Sequence, residues 1–404
     1  MIGFGKPLDS VTKEDLQALI ASRTAESRHF EYKLTLPGGS DSEKREFVKD
    51  VVAFANASGG HLIYGLEASE GVPVRLTGIT GTSFDAEKLR LEQMARSSIE
   101  PVIHGLRIKE VSLSQEGYFA LVLEIPKSLF GAHMIKGRRA FMHRTSAGTD
   151  EMDFSEIRAA FTGAEAATGR MRDFHADRVA KVAAGEGIFP LPDNAAAVLH
   201  VFPLEAFSSG FRCDLSRISA EPGRSALIPH SWATGWRPRY TLDGFAMTAS
   251  SGIPNQPYVG YAHAFRNGAL EFVWGELEMG HGPKTMRPGL FECITIAAAI
   301  RLSRAIETLN MSGPAYLFPS LLKIRGWKFL NITPAGLPSG EREVQHDHLV
   351  LPEVMMEFGS QIPLQNVLRS SFDVLWQACG WSQSSSYDRD GNYMLMAGVE
   401  VLLR

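Results

Sequence analysis

Two carboxylates and a lysine crowd into eight residues near the start of the chain, in the run Glu26-Ser27-Arg28-His29-Phe30-Glu31-Tyr32-Lys33. A third acid, Glu67, follows the apolar run Leu62-Ile63-Tyr64-Gly65-Leu66. Clustered carboxylates offer the hard oxygen ligands that Mg2+ and Mn2+ prefer, and an ion held there neutralises a phosphate, activates a water and stabilises the leaving oxygen. Lys33 would add positive charge at a pentacovalent transition state. Without a cation, three converging carboxylates would repel a phosphate. The bland alternative is that a Glu and a Lys on one face of a strand form an ion pair or a solvated edge. Asp50 is a spare acid on the following helix, whose periodicity turns it to solvent.

The elements that must position these groups are legible as patterns. Thr12, with Asp15 three residues on and Leu16, Leu19 and Ile20 on one face, predicts a short capped helix. Phe30, Tyr32 and Leu34 alternate with Glu31 and Lys33, which predicts a half-buried strand with the two charged groups on one face. Glu26 then approaches from the turn before it. Ser42-Glu43 opens a helix carrying Phe47, Val51, Phe54 and Ala55, and the segment from Asn56 to Gly60 stops it. Leu62 to Leu66 reads as a buried strand that places Glu67 at its C-terminal end. A helix around 85–98 and strands at 105–111, 118–125 and 138–144 follow, and a helix near 153–161 closes an α+β domain over residues 1–163. The 138–144 strand is the basic stretch of this half. Arg138, Arg139 and Arg144 could line a groove for phosphates, joined by Lys49 from the helix, or simply decorate an exposed edge strand.

Residues 164–192 are expected to form a helical connector, broken by Phe189-Pro190-Leu191-Pro192, and residues 193–404 a second, α/β-type domain. Its expected elements include a strand at 197–202, a hairpin over 240–250 and 258–277, and helices at 290–309 and 364–379. Asn267-Gly268 predicts a type I′ turn. A scaffold or dimerisation role is the default for this half.

Composition removes several classes. A chain of 404 residues with 44% hydrophobic and 21% charged residues is not disordered, and a net charge of -4 provides no global basic field, so any nucleic-acid contact must be a local patch. Cys213, Cys293 and Cys379 are far apart with no C-x-x-C pair, which argues against a zinc ribbon and a disulfide framework. Neither an export signal nor a membrane span is read, so a cytoplasmic protein is expected. Gly280-His281-Gly282-Pro283-Lys284-Thr285 lacks the Gly that a phosphate loop needs before its Lys, and His346 with His348 lacks a third metal ligand.

Taken in order, Glu26-x4-Glu31-Tyr32-Lys33, Lys49, Ala53-Phe54-Ala55-Asn56-x-x-Gly59-Gly60, Ile63-Tyr64-Gly65-Leu66-Glu67 and Phe141-Met142-His143-Arg144 resemble the Schlafen AlbA-2 domain, over roughly residues 1–163. The resemblance implies a mixed sheet with flanking helices. It also implies a metal-dependent endoribonuclease that cuts structured RNA such as tRNA, with Glu26, Glu31 and Glu67 holding one or two Mn2+ or Mg2+ ions. A homodimer with a role in defence or stress fits the same resemblance. Many bacterial relatives are described only as DNA-binding or regulatory, so a non-catalytic DNA- or RNA-binding regulator is the alternative. Glu67 departs from the Asp usual at the third position, and one extra methylene matters where geometry is sensitive to about 1 Å. Leu199 to Leu204, Leu242-Asp243-Gly244, Phe265 to Gly268 and Leu375 to Ala378 resemble an uncharacterised region that follows this domain in other proteins.

Overall fold

The computed structural model describes residues 4, 6, 8–113, 117–145, 148–208, 212–229, 235–250, 258–278, 282–311, 314–332, 338–357 and 362–394. The chain divides into two compact units, Met1–Ala166 and Ala167–Arg404.

The first unit begins with α1 (Lys13–Ala21), β1 (Phe30–Lys33), α2 (Asp41–Asn56), β2 (Gly60–Tyr64), the hairpin β3 (Leu66–Ser69) and β4 (Val72–Leu76), and α3 (Phe84–Ser98). It continues through β5 (Ile99–Glu100), β6 (Arg107–Ser112), β7 (Phe119–Ile125), β8 (Met134–Ile135), β9 (Met142–Arg144) and β10 (Thr149–Glu151). The central sheet has the order β1-β2-β7-β6, with β1 parallel to β2 and the other pairs antiparallel. β2 is buried on both faces because successive residues point to opposite sides. Leu62 and Tyr64 join Phe47, Val51 and Phe54 of α2 in one core, while Ile63 packs with Phe30, Tyr32 and Leu16 in the other.

Two glycines of the signature are steric requirements. A Cβ on Gly60 would lie 2.5 Å from the Phe54 ring, and Gly65 takes a φ of +86° where β2 breaks away into β3. That break puts Glu67 on a hairpin strand, not at the end of the buried one. Asn56 fastens α2 to the far side of the unit: its amide donates to the carbonyls of His133 and Met142, each at 2.8 Å. The helix starts at a capping box made by Ser40 and Glu43, two residues ahead of the Ser42 start read from the sequence.

The basic 138–144 stretch is not one strand. β8 and β9 are separated by a turn that carries Arg138 and Arg139. The helix expected at 153–161 and the connector expected from 164 are one helix, α4 (Phe154–Ala183), which continues through Gly163 and Gly169 because neither is asked for a left-handed φ. It stops at Gly185, with φ +79°, ahead of the Phe189-Pro190 break.

The second unit takes the remainder of α4 and then β11 (Ala196–Pro203), α5 (Leu215–Ser219), α6 (Gly223–Ala226), β12 (Arg237–Tyr240), β13 (Gly244–Ser250), β14 (Tyr258–Phe265), β15 (Leu270–Trp274) and β16 (Thr285–Met286). After these come α7 (Pro288–Thr308), β17 (Ala315–Leu322), β18 (Lys328–Ile332), β19 (Pro338–Glu343), β20 (His348–Val350), β21 (Val354–Met356) and α8 (Leu364–Gln377). Its main sheet runs β12-β13-β14-β15-β11-β17-β20, with β21 also on β17, and every one of these pairs is antiparallel. The turn at Asn267-Gly268 is not type I′. Gly268 alone is left-handed, at φ +89°, and its N–H bonds to the Phe265 carbonyl at 2.8 Å, which makes a type I turn closed by a glycine bulge. Trp376 on α8 is buried in the core. Cys293 and Cys379 are buried thiols and Cys213 is partly exposed; all three are free. No helix among the described residues is long and apolar enough to cross a membrane.

Candidate nucleic-acid site

β1 alternates as its sequence demands: Phe30 and Tyr32 are buried while Glu31 and Lys33 are half-buried on the opposite face. What meets them there comes from α2. Glu46 and Asp50 stand four residues apart, one turn of helix, so both reach the same strand. The Lys33 ammonium lies 2.7 Å from Glu46 Oε1, 3.1 Å from Glu31 Oε1 and 3.4 Å from Asp50 Oδ2. Glu31 Oε2 accepts a hydrogen bond from Arg144, whose Nε also donates to the Ser27 carbonyl at 2.8 Å. The Arg144 guanidinium stacks 4.5 Å from the centre of the Phe54 ring. Three separate pieces of the signature, around Glu31, Phe54 and Arg144, therefore meet at one place.

Glu26 arrives from the preceding turn. Its backbone N–H bonds to the Gly71 carbonyl at 2.7 Å, and its carboxylate accepts from the Tyr32 N–H at 3.3 Å. Burial raises its pKa, and the neighbouring negative charge of Glu31 raises it further. Asp50 contradicts the expectation that it faces water. Its residue is only 5% exposed, and burial pushes its carboxyl up to about 6 despite the attraction of Lys33. Its Oδ2 has no hydrogen-bond partner, because the 3.4 Å approach of Lys33 is an ion pair without hydrogen-bond geometry. Burial opposes the charge on Lys33, but Asp50, Glu46 and Glu31 more than offset it and hold the ammonium above its ordinary pKa. When fully ionised, the four carboxylates Glu26, Glu31, Glu46 and Asp50 outnumber the two cations Lys33 and Arg144 by two charges.

Glu67 does not join them as placed. It sits opposite Arg75 in the β3–β4 hairpin and is paired with it, at 2.8 Å to Nη2 and 3.0 Å to Nε. Each Glu31 oxygen already faces a cation. Among the described residues, no group of three or more His, Cys, Asp or Glu is arranged to hold a metal ion. The side chains of Glu26, Glu31 and Glu67, in these positions, do not fit a shared Mn2+ or Mg2+ ion. His348 is likewise engaged, its Nδ1 accepting from the Lys323 N–H at 3.1 Å. Gly280 and His281 of the phosphate-loop look-alike lie outside the described residues.

The basic residues separate. Arg138 and Arg139 are exposed in the β8–β9 turn, and Arg139 holds a left-handed φ of +53°. Arg144 is 7% exposed and committed to Glu31, so it belongs to the acidic cluster and not to an open basic wall. Lys49 is half-buried on α2. Sequence reasoning passes over Glu46 and sets Asp50 aside as a spare acid turned to solvent, although Asp50 stands three residues after Phe47 and four before Phe54, squarely within the apolar stripe.

A second charge cluster, which no sequence motif announces, lies within the second unit. Glu271 on β15 is fully buried and is bonded by Arg178 at 2.8 and 2.9 Å, by His200 at 2.9 Å and by the Tyr261 hydroxyl at 2.9 Å. His200 and His263 are both its cross-strand neighbours. Burial works against the charge on Glu271, but the bonds from His200 and Arg178 hold its carboxyl far below the ordinary range.

Residues 26–153 match the family model described as Schlafen, AlbA_2. No curated protein matches the chain. Among solved structures, the chain aligns with the crystal structure of the DIP2311 protein from Corynebacterium diphtheriae at 14% identity and a TM-score of 0.25, over 35% of this chain and 30% of that one. Less than a third of that protein is spanned, and at this TM-score the match does not bear on the fold.

Proposed function

We propose that this chain, which carries a Schlafen AlbA_2 domain at residues 26–153, acts on nucleic acid, with structured RNA such as tRNA as its substrate. The supporting observation is the pairing of Glu26 with Glu31 at the entrance of β1, beside Lys33 and Arg144. In the endoribonuclease reading, Glu26 is suited to proton transfer because its carboxyl holds a proton more tightly than usual. Lys33 and Arg144 orient Glu31, and Arg138, Arg139 and Lys49 bind phosphates. Dependence on Mn2+ or Mg2+ would require Glu67 to leave Arg75.

The engagement of Glu31 by Arg144 and of Glu67 by Arg75 favours a second reading, a regulator that binds nucleic acid without cutting it. Incubation with total tRNA, with Mn2+ or with chelator, separates the two when run beside Glu31→Gln. The nuclease reading expects fragments that vanish with the substitution. A gel shift without fragments under either condition would leave the regulator, and no shift and no fragments would remove both. Two copies of the domain would give two lobes around one groove, and a strictly monomeric species in sedimentation would count against a homodimer.

A further inference from the structure

The loop that follows β1 borders a cleft of about 560 Å3, opposite the loop between β4 and α3. Its walls include Leu34, Leu36 and Ile79, and the hydroxyl-bearing Thr35, Thr80 and Thr82. Its volume lies within the range of small-molecule sites, roughly 300–1,000 Å3. Two charged groups line it, Glu87 and Arg90, and they neutralise each other at 2.6 Å while Arg90 also donates to the Pro37 carbonyl at 2.8 Å. The cleft therefore does not select a ligand by charge. Leu34 leaves 46% of its surface exposed, next to a neutral, hydroxyl-bearing rim. Apolar walls with hydrogen-bonding edges suit a flat heterocycle whose faces are apolar and whose rim carries donors and acceptors.

Leu34 is also the residue directly after Lys33. It lies in the bend just past β1, three residues from Glu31, so their backbones are no more than about 11 Å apart and one continuous segment carries both the acidic cluster and the cleft wall. The geometry points to a nucleobase site: the cleft takes one unstacked base of the RNA whose backbone passes the Glu31 cluster. This rests on the RNA reading above, and it adds a base-binding step that the charged cluster cannot supply. The ligand class is a nucleoside. An anion such as free phosphate is disfavoured by the paired Glu87 and Arg90.

The test titrates adenosine, guanosine, cytidine and uridine separately into the full-length protein, followed by saturation-transfer NMR, and measures tRNA affinity in parallel. Thr80→Trp, at an exposed rim position, fills the cleft, and Leu34→Ser removes its apolar wall without emptying the core. Both variants are first matched to the parent by circular dichroism and thermal midpoint. At least one nucleoside should give a saturable signal that is lost in Thr80→Trp, with tRNA affinity falling about tenfold in both variants, whereas Glu31→Gln should leave the nucleoside signal intact. Unchanged tRNA affinity in both variants, with no signal from any nucleoside, would overturn the cleft while sparing the RNA reading. A nucleoside signal lost in Thr80→Trp, in a protein that binds no tRNA, would sustain the cleft and overturn the RNA reading. Absence of both kinds of binding would overturn both.

Discussion

Each unit contains a carboxylate held by an arginine, and the two are resolved in opposite ways. Around Glu271, two bonds from Arg178, one from His200 and one from Tyr261 saturate a single fully buried acid. Around Glu31, two cations are shared among four acids, the pKa values of Glu26 and Asp50 are raised, and Asp50 Oδ2 is left without a hydrogen bond. A saturated carboxylate in a closed core fixes how α4 sits on the sheet of its unit. An over-supplied, half-exposed cluster stores unfavourable interactions, which is the pattern of places where a protein meets a ligand. The contrast makes Glu271 a structural centre and the Glu31 cluster the candidate site.

The largest expected effect tests the structural half. Glu271→Ala leaves Arg178 buried without its partner and should cost about 3–5 kcal/mol in urea unfolding, since breaking one side of a buried pair strands the other charge. Glu271→Gln keeps the shape and should cost less. A loss below about 0.5 kcal/mol in the alanine variant would erase the distinction between the sites.

Next in size is Asp50→Asn. The carboxyl is pushed from 3.8 to about 6 in the folded protein, so between those values the folded state keeps a proton that the unfolded state releases. Stability from this group is therefore lost as pH rises from about 4 to about 6, by up to ~3 kcal/mol at 1.36 kcal/mol per pKa unit. His175 and His263, lowered to about 3 and about 4 chiefly by burial, act with the opposite sign: they stay neutral when folded and favour the native state as pH rises towards 6.5. The quantity to measure is thus the difference between variant and parent in urea at pH 4, 5, 6 and 7. It should shift towards the variant across the window, and parallel curves would show that Asp50 is not strained.

The smallest effect on stability belongs to the exposed turn. Arg138→Ala with Arg139→Ala should change unfolding by less than about 0.5 kcal/mol. It should nevertheless weaken tRNA binding and flatten its dependence on log salt by about one unit for each phosphate that the two arginines neutralise. An unaltered slope would return both arginines to surface decoration.

How far the sequence reaches can be judged residue by residue. The alternation in Phe30 to Lys33, the apolar stripe of α2 and the order of the signature motifs are local patterns, and they correctly place β1, α2, β2 and the AlbA_2 domain. Asp50 is where the periodicity is misjudged: the helix is read as turning it to solvent, while its spacing from Phe47 and Phe54 puts it on the buried face. The continuity of α4 is hidden because the domain boundary is set at residue 163, between two helices read separately, yet glycine in a helix interior costs only about 1 kcal/mol and is tolerated where packing favours the helix.

By itself, then, the sequence determined the elements that carry the candidate site, β1, α2 and β2, and which chemical groups are available there, because side-chain period and steric demand act within a few residues. The tertiary structure alone decided which of those groups meet. Arg144 reaches Glu31 across 113 positions of chain, Asp50 and Glu46 close on Lys33 because α2 folds over β1, and the hairpin register gives Glu67 to Arg75. Charge partnership depends on distances that only the packed chain defines, so the acids that looked like a triad in the sequence are divided in the fold.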